Sequence, residues 1–230
     1  MDFILKGFAD AWRLVFSLDP DVYFIVWTSL KVSLLATLLS SILGVPLGVL
    51  TALKRFRGKS ALQVILNTMM AFPTVVIGLL FYALLSRRGP LGPLELLFTP
   101  AGISIGLFFL GLPTVVNLTL AAVQGLDPRL MVTCKVLGAT PMQTTGKILR
   151  EARFAITSAV VVAFGRVISE VGVAMMLGGN IRGLTRTMTT AIALETSKGE
   201  FELGLALGIV LLAVALAVNG ALFVLQRGKA

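Results

Sequence analysis

Five long stretches with almost no charge, at residues 32–53, 61–85, within 96–126, 154–181 and 203–225, decide what this chain can fold into. A bilayer core takes about 20 apolar residues of helix per crossing, and each stretch reaches that length. In lipid no water pairs with backbone N–H and C=O groups, and a helix satisfies them within one segment. The expectation is an all-α, polytopic membrane protein with five transmembrane helices. Composition agrees: 13% of residues are charged and the mean hydropathy is +0.95, whereas a soluble domain carries roughly 25% charged residues.

The formal net charge of +9 is explained by its distribution between the two faces. With the amino terminus outside, the inner segments hold eleven basic residues: Lys54, Arg55, Arg57, Lys59, Arg129, Lys135, Lys147, Arg150, Arg153, Arg227 and Lys229. The outer segments hold seven, Lys6, Arg13, Arg87, Arg88, Arg182, Arg186 and Lys198, among eight acids. The bias predicts an outer amino terminus and, after five spans, a cytoplasmic carboxyl terminus, with the short loop at 54–59 as its clearest signal. Anionic lipid accounts for the basic face, so nucleic acid is not expected as a partner.

Histidine is absent and Cys134 is the single cysteine. That composition excludes disulfide frameworks, zinc sites and histidine-based acid–base chemistry, and no metal site is expected. Gly58-Lys59-Ser60 has the ending of a phosphate-binding loop, but the pattern requires a glycine where Leu53 stands. If ATP drives this protein, a separate subunit must bind it.

Residues 1–20 form the first predicted unit, an amphipathic helix on the outer surface, with Ile4, Phe8, Trp12 and Val15 at helical spacing and Asp19-Pro20 as its interruption. Tyr23 and Trp27 read as aromatic-belt residues, with Lys31 reaching outward. Pro46, Pro73 and Pro113 fall inside spans, where each frees a carbonyl. Glycine pairs at 44/48, 102/106 and 204/208 predict close helix packing.

The inner loop at 124–153 is too long for a plain connection and carries helix punctuation. Asp127-Pro128 reads as an amino-terminal cap followed by a first-turn proline, Gly138 as a left-handed stop, and Thr140-Pro141 as a second start. A short helix, a turn and another helix are expected to project into the cytoplasm.

Leu137-Gly138-Ala139-Thr140, following Asp127-Pro128, resembles the cytoplasmic loop of ABC-importer permeases, in which a short helix sits in a groove of the ATPase subunit. The chain departs from the pattern at Val132, Thr133 and Cys134, where a glutamate and two alanines are usual, and at Arg150-Glu151, which replaces a leucine-proline. The runs at 164–172, 178–183 and 188–191 are similar to permeases of the molybdate and tungstate branch, and 194–199 looks most like the tungstate permeases.

The resemblance implies a type I ABC-importer permease fold at 21–230 and a non-enzymatic transport subunit in the cell membrane. It further implies a homodimer, two cytoplasmic ATP-binding subunits that carry ATP and Mg, and an extracytoplasmic anion-binding protein. Asp127, Arg129, Leu137, Gly138, Ala139 and Thr140 are the implied ATPase-coupling residues. Tungstate leads as cargo, ahead of molybdate and sulfate. The alternatives are a channel or proton-coupled carrier that needs no ATPase, and a membrane anchor that conducts nothing.

Arg166 and Glu170 are the only charges in the fourth stretch, each costing about 2.5 to 3.5 kcal/mol at a helix centre on insertion scales. Their spacing of four predicts a mutual ion pair on one helix face, with packing or gating as its role. The outer segment 178–202 is expected to turn at Asn180 and then form an amphipathic helix with Leu184, Met188, Ala191 and Ile192 along one side. Asn180, Arg182, Thr185 and Arg186 are its candidate gate or binding-protein contacts. Arg182 and Arg186, together with Thr185, Thr187, Thr189 and Thr190, are alternatively candidates for direct anion contact.

Overall fold

The computed structural model describes Ala9, Trp12, Arg13, Phe16, residues 19–54 and residues 56–227. The predicted outer helix at 1–20 therefore lies mostly outside the described residues.

Helix α1, Pro20–Leu53, starts where Asp19 accepts a hydrogen bond from the Asp21 amide at 2.8 Å, with Pro20 at its first position. Its 34 residues measure about 51 Å, beyond the roughly 30 Å hydrocarbon thickness. The helix thus absorbs Tyr23 and Trp27, both exposed at its beginning. At its far end the Lys59 ammonium reaches back to the carbonyls of Ala52 at 3.2 Å and Lys54 at 3.4 Å, where a helix terminus is negative.

The second stretch is broken. Helices α2, Lys59–Ala71, and α3, Thr74–Leu85, meet at 97°. Pro73 has no N–H to continue the ladder and forces Phe72 into extended backbone, with ψ at 137°. The proline that the sequence places inside the stretch at 61–85 thus does more than kink it: it divides the span into two helices.

Helix α4, Pro100–Gln124, is capped by Thr99 and contains Pro113. In the turn preceding that proline, the Phe108 carbonyl accepts a hydrogen bond from Ser40 Oγ of α1 at 3.0 Å. Gly44 and Gly48 bring α1 and α4 together: a Cβ at position 44 would lie 2.9 Å from Val115 Cβ, and one at 48 would lie 2.7 Å from Thr119 Cβ. Gly106 likewise admits Val173 and Leu177. The third predicted pair differs, because nothing lies within 4 Å of a Cβ on Gly208.

Helix α5, Pro128–Val136, is joined by a tight turn to α6, Pro141–Ile168. The second helix of the predicted hairpin and the start of the fourth predicted span are one element: α6 runs uninterrupted for 28 residues, about 42 Å. Helix α7, Gly172–Gly178, follows after a 58° bend. Two helices complete the chain, α8, Met188–Lys198, and α9, Phe201–Arg227.

By length and composition, α1, α4 and the Phe201–Ala221 part of α9 can each cross a membrane alone. With each bent pair counted as one span, the total is the expected five. The core centres on α1, α3, α4, α6 and α7, through Val32, Ala36, Ile103, Leu107, Val167 and Leu177. A second cluster at the hairpin end joins Val49, Val123, Ile148 and Ala152.

Candidate functional site

Polar chemistry concentrates at three levels along the molecule: the α5–α6 hairpin, the two helix breaks, and a charged cleft at the opposite end.

The hairpin is punctuated as its sequence predicts. Asp127 Oδ1 accepts from the Arg129 amide at 2.8 Å, and Gly138 has φ at +70°. Thr140 and Gln143 form a reciprocal cap, the Thr140 amide donating to Gln143 Oε1 at 2.8 Å and the Gln143 amide to Thr140 Oγ1 at 3.3 Å. The left-handed Gly138 is what closes the turn, since a Cβ there disfavours that backbone. Val136 and Leu137 are 81% and 78% exposed, and Met142, five residues on, is also exposed. These apolar side chains stand outside every core cluster.

At the helix breaks the predicted ion pair is not formed. Ser169 to Val171 interrupt the helix between Arg166 and Glu170, so the two charges no longer share a regular helical face. Arg166 Nη2 instead donates to the Met70 carbonyl in the last turn of α2, at 2.9 Å. Glu170 Oε1 accepts from the amides of Gly172 at 2.8 Å and Val173 at 3.2 Å, capping α7. The cation therefore lies at one helix carboxyl end and the carboxylate at one amino end, the placement that helix dipoles favour. The two breaks also abut, for a Cβ on Gly172 would lie 2.9 Å from Thr74 Oγ1. Asn117 of α4, which sequence reasoning did not single out, donates to Met70 Sδ at 3.1 Å.

At the far end, Asn180 adopts φ at +51° and locks the loop to α8, accepting from Thr190 Oγ1 at 3.0 Å and donating to the Thr190 carbonyl at 3.3 Å. Thr185 donates to the Gly178 carbonyl and accepts from the Ile181 amide. Thr187, Thr189 and Thr190 are buried and bonded to one another or to the Glu170 carbonyl. These hydroxyls, the alternative candidates for anion contact, all make hydrogen bonds within the fold. Leu184 is exposed while Met188 and Ala191 are buried, so the predicted apolar side begins at the helix, after Leu184.

Arg182 pairs with Asp21 at the start of α1. That carboxylate raises the Arg182 guanidinium further above its ordinary value, first by hydrogen bonding and then by charge. Arg186 Nη1 and Lys198 Nζ both approach Glu195, at 3.6 Å and 3.2 Å. Glu195 is buried and was missed as a site residue, although it follows Met188 and Ala191 on one face at spacings of seven and four, a carboxylate on an apolar stripe. These groups line a cleft of about 840 Å³ together with Asp19, Glu200 and Glu202. Among the described residues no group of histidine, cysteine, aspartate or glutamate side chains could hold a metal ion.

Residues 44–230 match the family model described as binding-protein-dependent transport system inner membrane component. The chain belongs to that family. This inner membrane component is 38% identical over 227 residues to the tungstate uptake system permease protein TupB of Peptoclostridium acidaminophilum, covering 99% of this chain and 100% of the relative. It is 40% identical over 219 residues to the Campylobacter jejuni protein of the same name, covering 95% and 92%.

Among solved structures, an inward-facing MetNI methionine ABC transporter chain superposes with a TM-score of 0.75 at 17% identity, covering 92% of this chain and 99% of that one. A chain of a bacterial ABC transporter that imports the polysaccharide alginate gives 0.75 at 19%, covering 96% and 84%. The inner membrane component therefore has the type I importer permease fold.

Proposed function

We propose that this chain is the permease subunit of an ATP-driven oxyanion importer in the cell membrane, with tungstate as its cargo. The observation that carries this reading is the similarity to two tungstate uptake permeases over nearly the full length of all three chains. Two copies form the path, and two cytoplasmic ATP-binding subunits, which hold ATP and Mg, receive the exposed ridge at Val136 and Leu137. Asp127, Arg129, Gly138, Ala139 and Thr140 set the shape of that ridge. An extracytoplasmic anion-binding protein docks at the cleft of Arg182, Arg186 and Glu195, on the side where the amino terminus lies. The carboxyl terminus is cytoplasmic. Alternating access follows when closure of the ATP-binding subunits displaces the hairpin and, through α6, the broken spans.

The test is reconstitution of this chain with its ATP-binding subunit and binding protein in proteoliposomes, measuring uptake of tungstate against molybdate and sulfate. ATP-dependent uptake that prefers tungstate is the expected result. Uptake without the ATP-binding subunit would replace the importer with a self-contained carrier. Equal uptake of the three anions would remove the cargo assignment and leave the transport class intact.

A further inference from the structure

We infer that Arg166 is a positioning residue for transport: its bond to the Met70 carbonyl is the clasp that ties the inner half of the second span to the fourth span, and it governs how tightly ATP hydrolysis is matched to anion movement. The inference rests on the importer reading and adds to it a specific joint.

Helix α2 has no fully buried residue. It leans on α4 and has no extended interface with α6. Its last turn ends at Phe72, which makes no capping hydrogen bond, so the terminal carbonyls of α2 lack the partners that a continuing helix would supply. Arg166 Nη2 fills one of these vacancies at 2.9 Å across 96 residues of chain. A charge-assisted bond to a carboxyl-terminal carbonyl, in a setting of low polarity, is stronger than a neutral one.

The outer halves are held differently. Gly78 lets α3 settle on Val173 and Met176 of α7, with a Cβ there 3.0 Å from Met176 Cβ, and Glu170 caps α7 from its own chain. The molecule thus has a packed pair, α3 with α7, above a loosely packed pair, α2 with α6, that is joined by one polar contact. A single hydrogen bond is easily broken and remade within a transport cycle, whereas an interdigitated apolar seam is not.

The test uses the complete complex in lipid nanodiscs and proteoliposomes, with Arg166→Met, Arg166→Gln and Arg166→Lys. Hydrogen–deuterium exchange reports on residues 67–71, and ATP hydrolysed per tungstate ion taken up reports on matching. In Arg166→Met, exchange in that turn rises roughly tenfold, the effect on an equilibrium of losing a hydrogen bond to a charged group, with no change in α4. ATP consumed per ion rises several-fold while binding-protein stimulation of hydrolysis persists. Arg166→Lys, which keeps the charge and a donor, restores most of both values.

Unchanged exchange at 67–71, an unaltered ATP-to-ion ratio, or a lysine variant as defective as methionine each overturns the inference. Should Arg166→Met fail to assemble, Arg166→Gln takes its place with the same criteria. A wild-type complex that imports no oxyanion would refute the functional reading instead, and the exchange measurement alone would then decide the clasp.

Discussion

The α1–α4 seam yields the sharpest quantitative expectation. Gly48→Ala adds one carbon at a point where Thr119 Cβ lies 2.7 Å away and the Val116 carbonyl oxygen 2.8 Å away. Ordinary carbon contacts sit at about 3.5 to 4.0 Å. The oxygen belongs to helical backbone, so relief requires α1 and α4 to separate rather than a side chain to turn. Overpacking of this kind costs about 1 to 3 kcal/mol, offset by at most about 1 kcal/mol from alanine's better helix propensity.

The net loss of about 1 to 2 kcal/mol corresponds to a melting temperature lower by roughly 2 to 8 °C for a chain of this size. Gly208→Ala is the internal control: the same atom is added on α9 with nothing within 4 Å, so its melting temperature stays level or rises. Thermal unfolding of the purified protein in detergent, followed by intrinsic fluorescence, measures both. If Gly48→Ala melted at or above the wild type, or if the two variants moved together, the close approach of α1 and α4 would not be the seam described here.

Gly138→Ala meets no steric neighbour but must hold a left-handed backbone, at a cost of about 1 to 2 kcal/mol. The expected outcome is normal membrane insertion with several-fold lower ATP-driven uptake, read in proteoliposomes. Glu195→Gln removes the charge that Arg186 and Lys198 share. Stranding one partner of a fully buried pair costs about 3 to 5 kcal/mol, and less here because Lys198 is half exposed, so the variant should melt lower and respond less to the binding protein, measured as stimulated ATP hydrolysis.

Where the information was local, the sequence could be read. Asp127-Pro128, Gly138 and Thr140-Pro141 are cap and stop residues whose effect needs no tertiary partner, and each works as its chemistry dictates. The glycines at 44, 48 and 106 announced close packing without naming the neighbour.

What escaped was chemistry created by chain separation. Arg166 bonds a carbonyl 96 positions away, and no spacing rule reaches that far. The rule that paired Arg166 with Glu170 assumed an unbroken helix, and Val171-Gly172, with no proline, gave no sign of the break between them. Thr185, Thr187, Thr189 and Thr190 could be listed as candidate anion contacts because hydroxyl count was visible, whereas their burial was not.

From Pro141 to Ile168 there is no proline after the first residue and the helix is unbroken. This segment is a single connecting rod between the α5–α6 turn at one end and the break before α7 at the other. A tilt of about 10° imposed at the Pro141 end swings the Ile168 end by roughly 7 Å, more than one helical turn, with no joint on the way to absorb it. In the importer proposed above, displacement delivered at the Pro141 end would reach the Ile168 end, beside the break before α7, without a relay of intermediate side chains.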